Sequence, residues 1–258
     1  MDYFDTTIQN ERDIHEVLRL PLLGILPYCR TSRFGQKDSL AKVPLLHPGL
    51  PYVELLQHLA SIVHRVGTEQ NCKTLLFTSA CPREGRTTLT INLGITLAQR
   101  GQKVLIVDGD LRRPSVHQAF SLDGTSGLSN LLQAGGDPKE YVRETGVENL
   151  FCLPAGPCPP VPSVLLESPE VPRAMERLKR DFDWVLIDSS ALLDAPETVA
   201  LAQWMDTALW VIASGATSME RASWTKRSLS LMNCRILGIV LNRVRFLRGP
   251  THYYAANQ

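Results

Sequence analysis

Three acidic side chains and one loop in this sequence have the types and spacing to handle a phosphate. The stretch Ser79-Ala80-Cys81-Pro82-Arg83-Glu84-Gly85-Arg86-Thr87-Thr88 compares with G-x-x-x-x-G-K-[ST], in which loop N–H groups cradle phosphates, a lysine reaches the terminal ones and a hydroxyl reaches Mg²⁺. Ala80 stands at the first glycine, Gly85 at the second, Arg86 at the lysine and Thr87 at the hydroxyl. The candidate nucleotide-binding residues are therefore Cys81, Pro82, Arg83, Glu84, Gly85, Arg86, Thr87 and Thr88. An apolar run precedes the loop and Thr87-Thr88 open an amphipathic segment, so loop amides and a helix N-terminus would face the same anion. Taken alone, so degenerate a match also describes an ordinary strand-to-helix turn.

The acids add to the loop. The run "KVLIVD" ends in "DGDLRRP", which brings Asp108 and Asp110 to the C-terminal end of a buried strand. Two carboxylates there can hold a metal–phosphate complex or take a proton from an incoming hydroxyl, although an Asx-type turn would use the same residues. Asp188 ends "WVLID", where a Walker-B-type carboxylate orients metal-bound water and a capping aspartate would also stand. The candidate catalytic set is Asp108, Asp110, Asp188 and Arg86, and the candidate Mg²⁺ ligands are Thr87, Asp108 and Asp110.

These groups need a scaffold, and the sequence supplies one. Short apolar runs at 73–79, 103–108, 149–155, 183–189, 207–213 and 235–242 alternate with helical patterns at Thr87–Arg100, Val116–Phe120 with Leu128–Gln133, Val164–Asp181, Pro196–Gln203 and Met219–Met232. Such alternation predicts an α/β fold, a mainly parallel sheet flanked by helices, with ligands at the edge where the strands end. Residues 1–70 read as an arm. It holds a helix over Glu11–Leu20, a Pro-interrupted stretch "LPLLGILPYC", a polar turn-rich run and a second helix over Tyr52–Val66. The core is expected over 71–245 and a tail over 246–258.

Bulk composition narrows the partners. With 27 Lys+Arg against 26 Asp+Glu and a formal net charge of +1, nothing draws the chain to nucleic acid or to an anionic membrane as a whole. Cys29, Cys72, Cys81, Cys152, Cys158 and Cys234 form no C-x-x-C pair, so reduced thiols in an intracellular protein are expected rather than a zinc site. No apolar run approaches the roughly eighteen residues of a spanning helix, and the N-terminus lacks the basic and apolar regions of a signal peptide.

Taken together, these residues resemble the bacterial tyrosine kinases of polysaccharide export, a branch of the deviant-Walker P-loop ATPases. The resemblance runs from "ERDIHEVLRLPLLGILP" through "LAQRGQKVLIVDGDLRRPSVHQAF", "GLSNLLQAG", "LPAGPCPPVPSVLLES" and "DFDWVLID" to "ILGIVLNRV". It implies ATP and Mg²⁺ as cofactors, Asp108 and Asp110 assisting Mg²⁺ and hydroxyl activation, Asp188 as the Walker B acid, Thr87 as a Mg²⁺ ligand and Asn242 near the adenine. It also implies a membrane adaptor or polysaccharide co-polymerase as partner, engaged through residues 1–30, and a place at the inner face of the membrane. Tyr253 and Tyr254 are the candidates for autophosphorylation.

The chain departs from that family pattern at four places. Arg86 replaces the loop lysine, and a planar guanidinium does not fill the place of a compact ammonium. Glu54 is kept from an E-x-x-R-x-x-R pattern used in subunit contacts, but Gln57 and Ala60 replace its arginines, which puts a ring-shaped homo-oligomer in doubt. Ser189-Ser190-Ala191 replace Thr-Pro-Pro, and the tyrosine-rich tail is reduced to Tyr253-Tyr254. The expectation is a tyrosine kinase, with an impaired pseudokinase or nucleotide-sensing scaffold as the alternative. A partitioning-type ATPase would need a lysine where Cys81 stands, and a dinucleotide oxidoreductase would need G-x-G-x-x-G after the first strand.

Overall fold

The structure is a computed structural model that describes residues 6–29, 37–231 and 234–245. Eight strands form one sheet: β1 (Leu22–Pro27), β2 (Thr74–Ser79), β3 (Val104–Asp108), β4 (Arg143–Glu144), β5 (Leu150–Leu153), β6 (Trp184–Asp188), β7 (Thr207–Ala213) and β8 (Arg235–Val244), in the order β1-β8-β7-β2-β6-β3-β5-β4. Every pairing is parallel except that of β4 with β5.

The central strands β2, β3, β6 and β7 are buried at every position, as apolar runs covered on both faces must be. Because side chains alternate across a strand, Leu75 and Phe77 of β2 join one core and Leu76 the other. Helices α3 (Pro51–Gln70) and α4 (Arg86–Gln99) cover the first face. Helix α1 (Glu11–Val17), α6 (Leu128–Ala134), α8 (Glu170–Asp181), α9 (Pro196–Ala202) and α10 (Met219–Leu231) contribute to the core on the second. Three short helices, α2 (Val43–Leu46), α5 (Val116–Ala119) and α7 (Pro162–Leu166), complete the set.

Three sequence expectations are corrected. The stretch read as irregular and Pro-interrupted contains β1, an edge strand parallel to β8 with Leu22 opposite Ile239. An edge tolerates Pro27 and Gly24 because its outer N–H groups need no ladder partner. The helix expected over Val164–Asp181 is two helices, α7 and α8, because Pro169 disfavours helical geometry at Ser168. Helix α1 ends at Val17 rather than Leu20, and Arg19 takes a left-handed φ of 50°. The two-residue β4 has no signal in the sequence.

A nucleotide-type site at the carboxyl edge of the sheet

Parallel pairing brings the C-terminal ends of β2, β6 and β3 side by side, with Asp108 of β3 in register with Asp188 of β6 and Phe77 of β2 with the same Asp188. The loop after β2, the acid after β3 and the acid ending β6 therefore share one edge, the position where open α/β sheets bind ligands. Gly109 permits this closeness. Its N–H donates to the Asp188 carbonyl at 2.8 Å, and a Cβ at Gly109 would lie 2.9 Å from that same oxygen.

The loop is braced from several sides. The Ser79 hydroxyl donates to the Cys81 carbonyl at 2.6 Å, and the Cys81 N–H donates to Glu84 Oε2 at 2.9 Å. Arg83 has φ 63° and Gly85 φ 99°, so the chain turns through two left-handed residues before α4 starts. Gly85 is the N-cap of α4 and carries no side chain to cap it. The first amides of the helix are left for an anion, which the helix dipole also favours.

Arg86 points inward. Its Nε donates to the Ser189 carbonyl at 2.8 Å, and one terminal nitrogen donates to the Cys81 carbonyl at 3.1 Å and to the Ser79 hydroxyl. The guanidinium thus ties the loop to the end of β6 rather than reaching out of the loop. Glu84 likewise turns its carboxylate into the protein, where it accepts from Cys81, from the Thr217 hydroxyl and from the Ala213 N–H at 3.5 Å. Pro82 and Arg83 are exposed and Cys81 is half-buried, with its sulfur 3.0 Å from a terminal nitrogen of Arg221.

The three acids differ in environment. Thr87 donates its hydroxyl to Asp188 Oδ2 at 2.6 Å. Asp108 Oδ2 accepts from the amides of Ser115 at 2.9 Å and Val116 at 3.0 Å. Asp188 Oδ1 and Asp108 Oδ1 are buried with no hydrogen-bond partner among the described residues. Burial first, and then the charge of Asp188, push the Asp108 carboxyl up to about 8, against the pull of the Val116 and Ser115 amides. Burial pushes Asp188 up to about 6, opposed by the Thr87 hydroxyl and by Arg86. Asp110 is half-buried and accepts from the Arg113 amide at 3.1 Å. Beside them Arg112 pairs with the buried Glu197, whose second oxygen has no partner among the described residues.

Two orphaned, buried carboxylate oxygens on paired strands, with a hydroxyl on one of the two acids, fit a divalent cation, which would lower both carboxyl pKa values. Among the described residues no cluster of three or more His, Cys, Asp or Glu could hold a metal by itself. That donor set suits Mg²⁺, which takes one or two carboxylates and completes its shell with phosphates and water.

Asn242 lies against the loop. Its side-chain nitrogen donates to the Glu84 carbonyl at 2.8 Å, and a Cβ on Gly85 would fall 2.2 Å from that nitrogen. With Tyr28, Tyr52, Gly85, Thr88 and Arg243 it lines a cavity of about 280 Å³. Ser79, Gly109, Ser189 and Thr217 are not among the sequence-predicted site residues, because they act through a hydroxyl, a missing side chain or a backbone carbonyl and carry no motif. Tyr253 and Tyr254 lie outside the described residues. Among the described residues no helix is long and apolar enough to cross a membrane.

Comparison with known proteins is consistent with this geometry. A family model described as an AAA domain matches residues 84–223. The chain is 34% identical over 186 residues to the tyrosine-protein kinase YwqD of Bacillus subtilis, an alignment covering 72% of this chain and 78% of that protein. It superposes on the crystal structure of the chimerical protein CapA2B2 with a TM-score of 0.82 and 27% identity, over 92% of this chain and all of that one. It also matches the septum site-determining protein MinD of Pyrococcus horikoshii, solved with Mg-ADP, at a TM-score of 0.58 and 25% identity over 69% of this chain and 72% of that one.

Proposed function

This chain belongs to the family of bacterial tyrosine-protein kinases, and we propose that it binds Mg²⁺-ATP at the carboxyl edge of its sheet and transfers the γ-phosphoryl group to a tyrosine hydroxyl. The resemblance of its motifs to the kinases of polysaccharide export assigns that activity to the regulation of exopolysaccharide or capsule polymerisation. The observation that carries the nucleotide reading is the pair Asp108 and Asp188, in register on adjacent strands, each with a buried oxygen unpartnered among the described residues, and Asp188 also holding the Thr87 hydroxyl.

Mg²⁺, when bound, neutralises charge developing on the transferred phosphoryl group. Asp188 and Thr87 would hold it, with Asp108 and Asp110 assisting. The uncapped amides of α4 and the loop bind phosphate oxygens, and the closed turn through Gly85 keeps those donors in place before the nucleotide arrives. Asp108 is the candidate base. Burial holds its carboxyl at about 8 in the metal-free protein, and a bound cation would return it to the carboxylate form that can accept a hydroxyl proton. The cavity beside Asn242 and Tyr28 is the proposed place of the adenine. Tyr253 and Tyr254 are the proposed acceptors.

A second reading has its own support. Arg86 spends its hydrogen bonds on Ser79, Cys81 and Ser189, which favours a weakened enzyme or a nucleotide-sensing scaffold. Similarity to a chimera named CapA2B2 supports a CapA-type membrane adaptor as partner, which would place the chain at the inner face of the membrane. A homo-oligomer would have to form without the two family arginines of α3, since Gln57 and the fully buried Ala60 stand there.

Calorimetric titration of Mg²⁺-ATP into the full chain and its Asp188→Asn variant tests the site, followed by detection of phosphotyrosine in the parent and in Tyr253→Phe/Tyr254→Phe. Binding with tyrosine phosphorylation supports the kinase. Binding without phosphorylation supports the scaffold, and absence of binding overturns the nucleotide reading.

A further inference from the structure

The side chain of Glu84 has no role in the reading above, and it is buried to 2% exposure inside the phosphate loop. A carboxylate is buried only where donors compensate for the lost water. Here the donors come from two places. One is the loop itself, through the Cys81 N–H; the other is the segment between β7 and α10, through the Thr217 hydroxyl and the Ala213 N–H. The Glu84 carbonyl is held by Asn242, whose own carbonyl accepts from the Ser214 N–H at 2.8 Å. Both ends of Glu84 therefore lead to residues 213–217.

That same segment carries the start of the described chain. The Ile8 N–H donates to the Thr217 carbonyl, the Gly215 N–H to the Ile8 carbonyl and the Met219 N–H to the Thr6 carbonyl, each at 2.8 Å. The Ser214 hydroxyl donates to the Gln9 carbonyl at 2.8 Å, Thr7 bridges Ser218 antiparallel, and Ile8 is fully buried. Thr217 thus accepts a bond from the N-terminal segment with its backbone and donates one to Glu84 with its side chain.

We propose that Glu84 is a positioning residue that couples the docked segment Thr6–Gln9 to the phosphate loop, so that docking of this segment and nucleotide binding strengthen one another. Coupling of this kind is reciprocal: whatever draws residues 6–9 off the segment before α10 weakens the loop's grip on phosphate, and bound nucleotide holds the segment down. The proposal rests on the loop being a nucleotide site, and its test separates the two.

The full chain is compared with Ile8→Ala and with Met219→Pro, each alone and in a Thr217→Val background. Met219 is the first residue of α10, where proline is accepted, so the second variant removes the bond to Thr6 with the helix kept. Two quantities are read: hydrogen exchange of the peptide containing Cys81 in the nucleotide-free protein, and affinity for Mg²⁺-ATP. Either substitution, one removing the buried Ile8 side chain and the other the bond from Met219 to Thr6, is expected to speed exchange in the loop and weaken binding about three- to tenfold, on the scale of one weakened contact. In the Thr217→Val background the same substitutions are expected to add nothing, because coupled sites are not additive. Thr217→Ser, which keeps the hydroxyl, is expected to behave as the parent. Equal losses in both backgrounds, or an unchanged loop peptide, would overturn the coupling. A parent that binds no nucleotide overturns the reading of the site alone, and the exchange measurement still decides the coupling.

Discussion

Arg86 Nε donates to the Ser189 carbonyl across 2.8 Å, joining the first turn of α4 to the residue that follows β6. The same side chain closes the loop on itself through Ser79 and Cys81. Arginine at this position is a strut. To place its charge on a phosphate it must leave the buried Ser189 carbonyl without its donor, which costs about 1–3 kcal/mol, while the Cys81 carbonyl keeps the Ser79 hydroxyl.

Arg86→Lys should therefore move two properties in opposite directions. Lysine is a compact, mobile charge that lacks the fork holding both carbonyls, so the free protein should melt at a lower temperature. Affinity for Mg²⁺-ATP should rise about ten- to a hundredfold, as one charge-assisted contact to phosphate is gained. Thermal melts and calorimetry on the same preparation decide it. A variant less stable and no tighter would show that the loop tolerates arginine as a phosphate ligand.

Gly85→Ala should abolish tight nucleotide binding while leaving the sheet intact. Its φ of 99° is strained for any residue with a Cβ, and that Cβ would meet the Asn242 side chain. The left-handed conformation alone costs about 1–2 kcal/mol. Relieving only the contact, with Gly85→Ala/Asn242→Ala, should recover no more than part of the affinity, because the backbone penalty and the lost bond to the Glu84 carbonyl remain. Full recovery in the double variant would show that the strain is unimportant.

In the absence of divalent cation, the Asp108 carboxyl sits near 8 in the folded chain and near its ordinary value of about 3.9 when unfolded. Between those values the folded state holds a proton that the unfolded state has lost, so stability must fall as pH rises from about 4 to 8. Asp108→Asn removes this slope at its source and should be less pH-sensitive and more stable than the parent at pH 8. Melting temperatures at pH 5 and pH 8 without Mg²⁺ provide the check. Parallel curves for the two proteins would sink the assignment.

The strands that carry the acids were legible because each is a short apolar run ending in aspartate, and buried parallel strands leave that signature. Loop and helix α4 were legible from the glycine and the paired threonines. Four features were hidden for physical reasons. Strand β1 is hidden because Gly24, Pro27 and the preceding Pro21 look like turn residues, and only pairing with β8, more than two hundred residues away in sequence, makes the segment a strand. The inward course of Arg86 was hidden because the sequence records a charge but not its acceptors, one of which is the backbone of Ser189. Glu84 was named as a nucleotide-binding residue on position in the loop alone, and its side chain turns away from the surface where the helix amides are free. Gly109 leaves no sequence signal because its use is to let two strands approach.

The Arg112–Glu197 pair gives the last prediction. Glu197 is 1% exposed, with one oxygen paired to Arg112 and the other orphaned, while the arginine is about half exposed. A carboxylate so buried depends on its partner more than the partner depends on it. Arg112→Ala should lower the melting temperature, and adding Glu197→Gln should restore much of the loss, since a neutral amide is less costly to bury than an unpaired charge. The pair bridges the segment after β3 to the start of α9, so the single variant should also loosen Asp108 and Asp110 and weaken binding of Mg²⁺-ATP. Thermal melts and titration of the three proteins settle it. If Arg112→Ala melts with the parent, water reaches Glu197 and the bridge does not hold the acids in place.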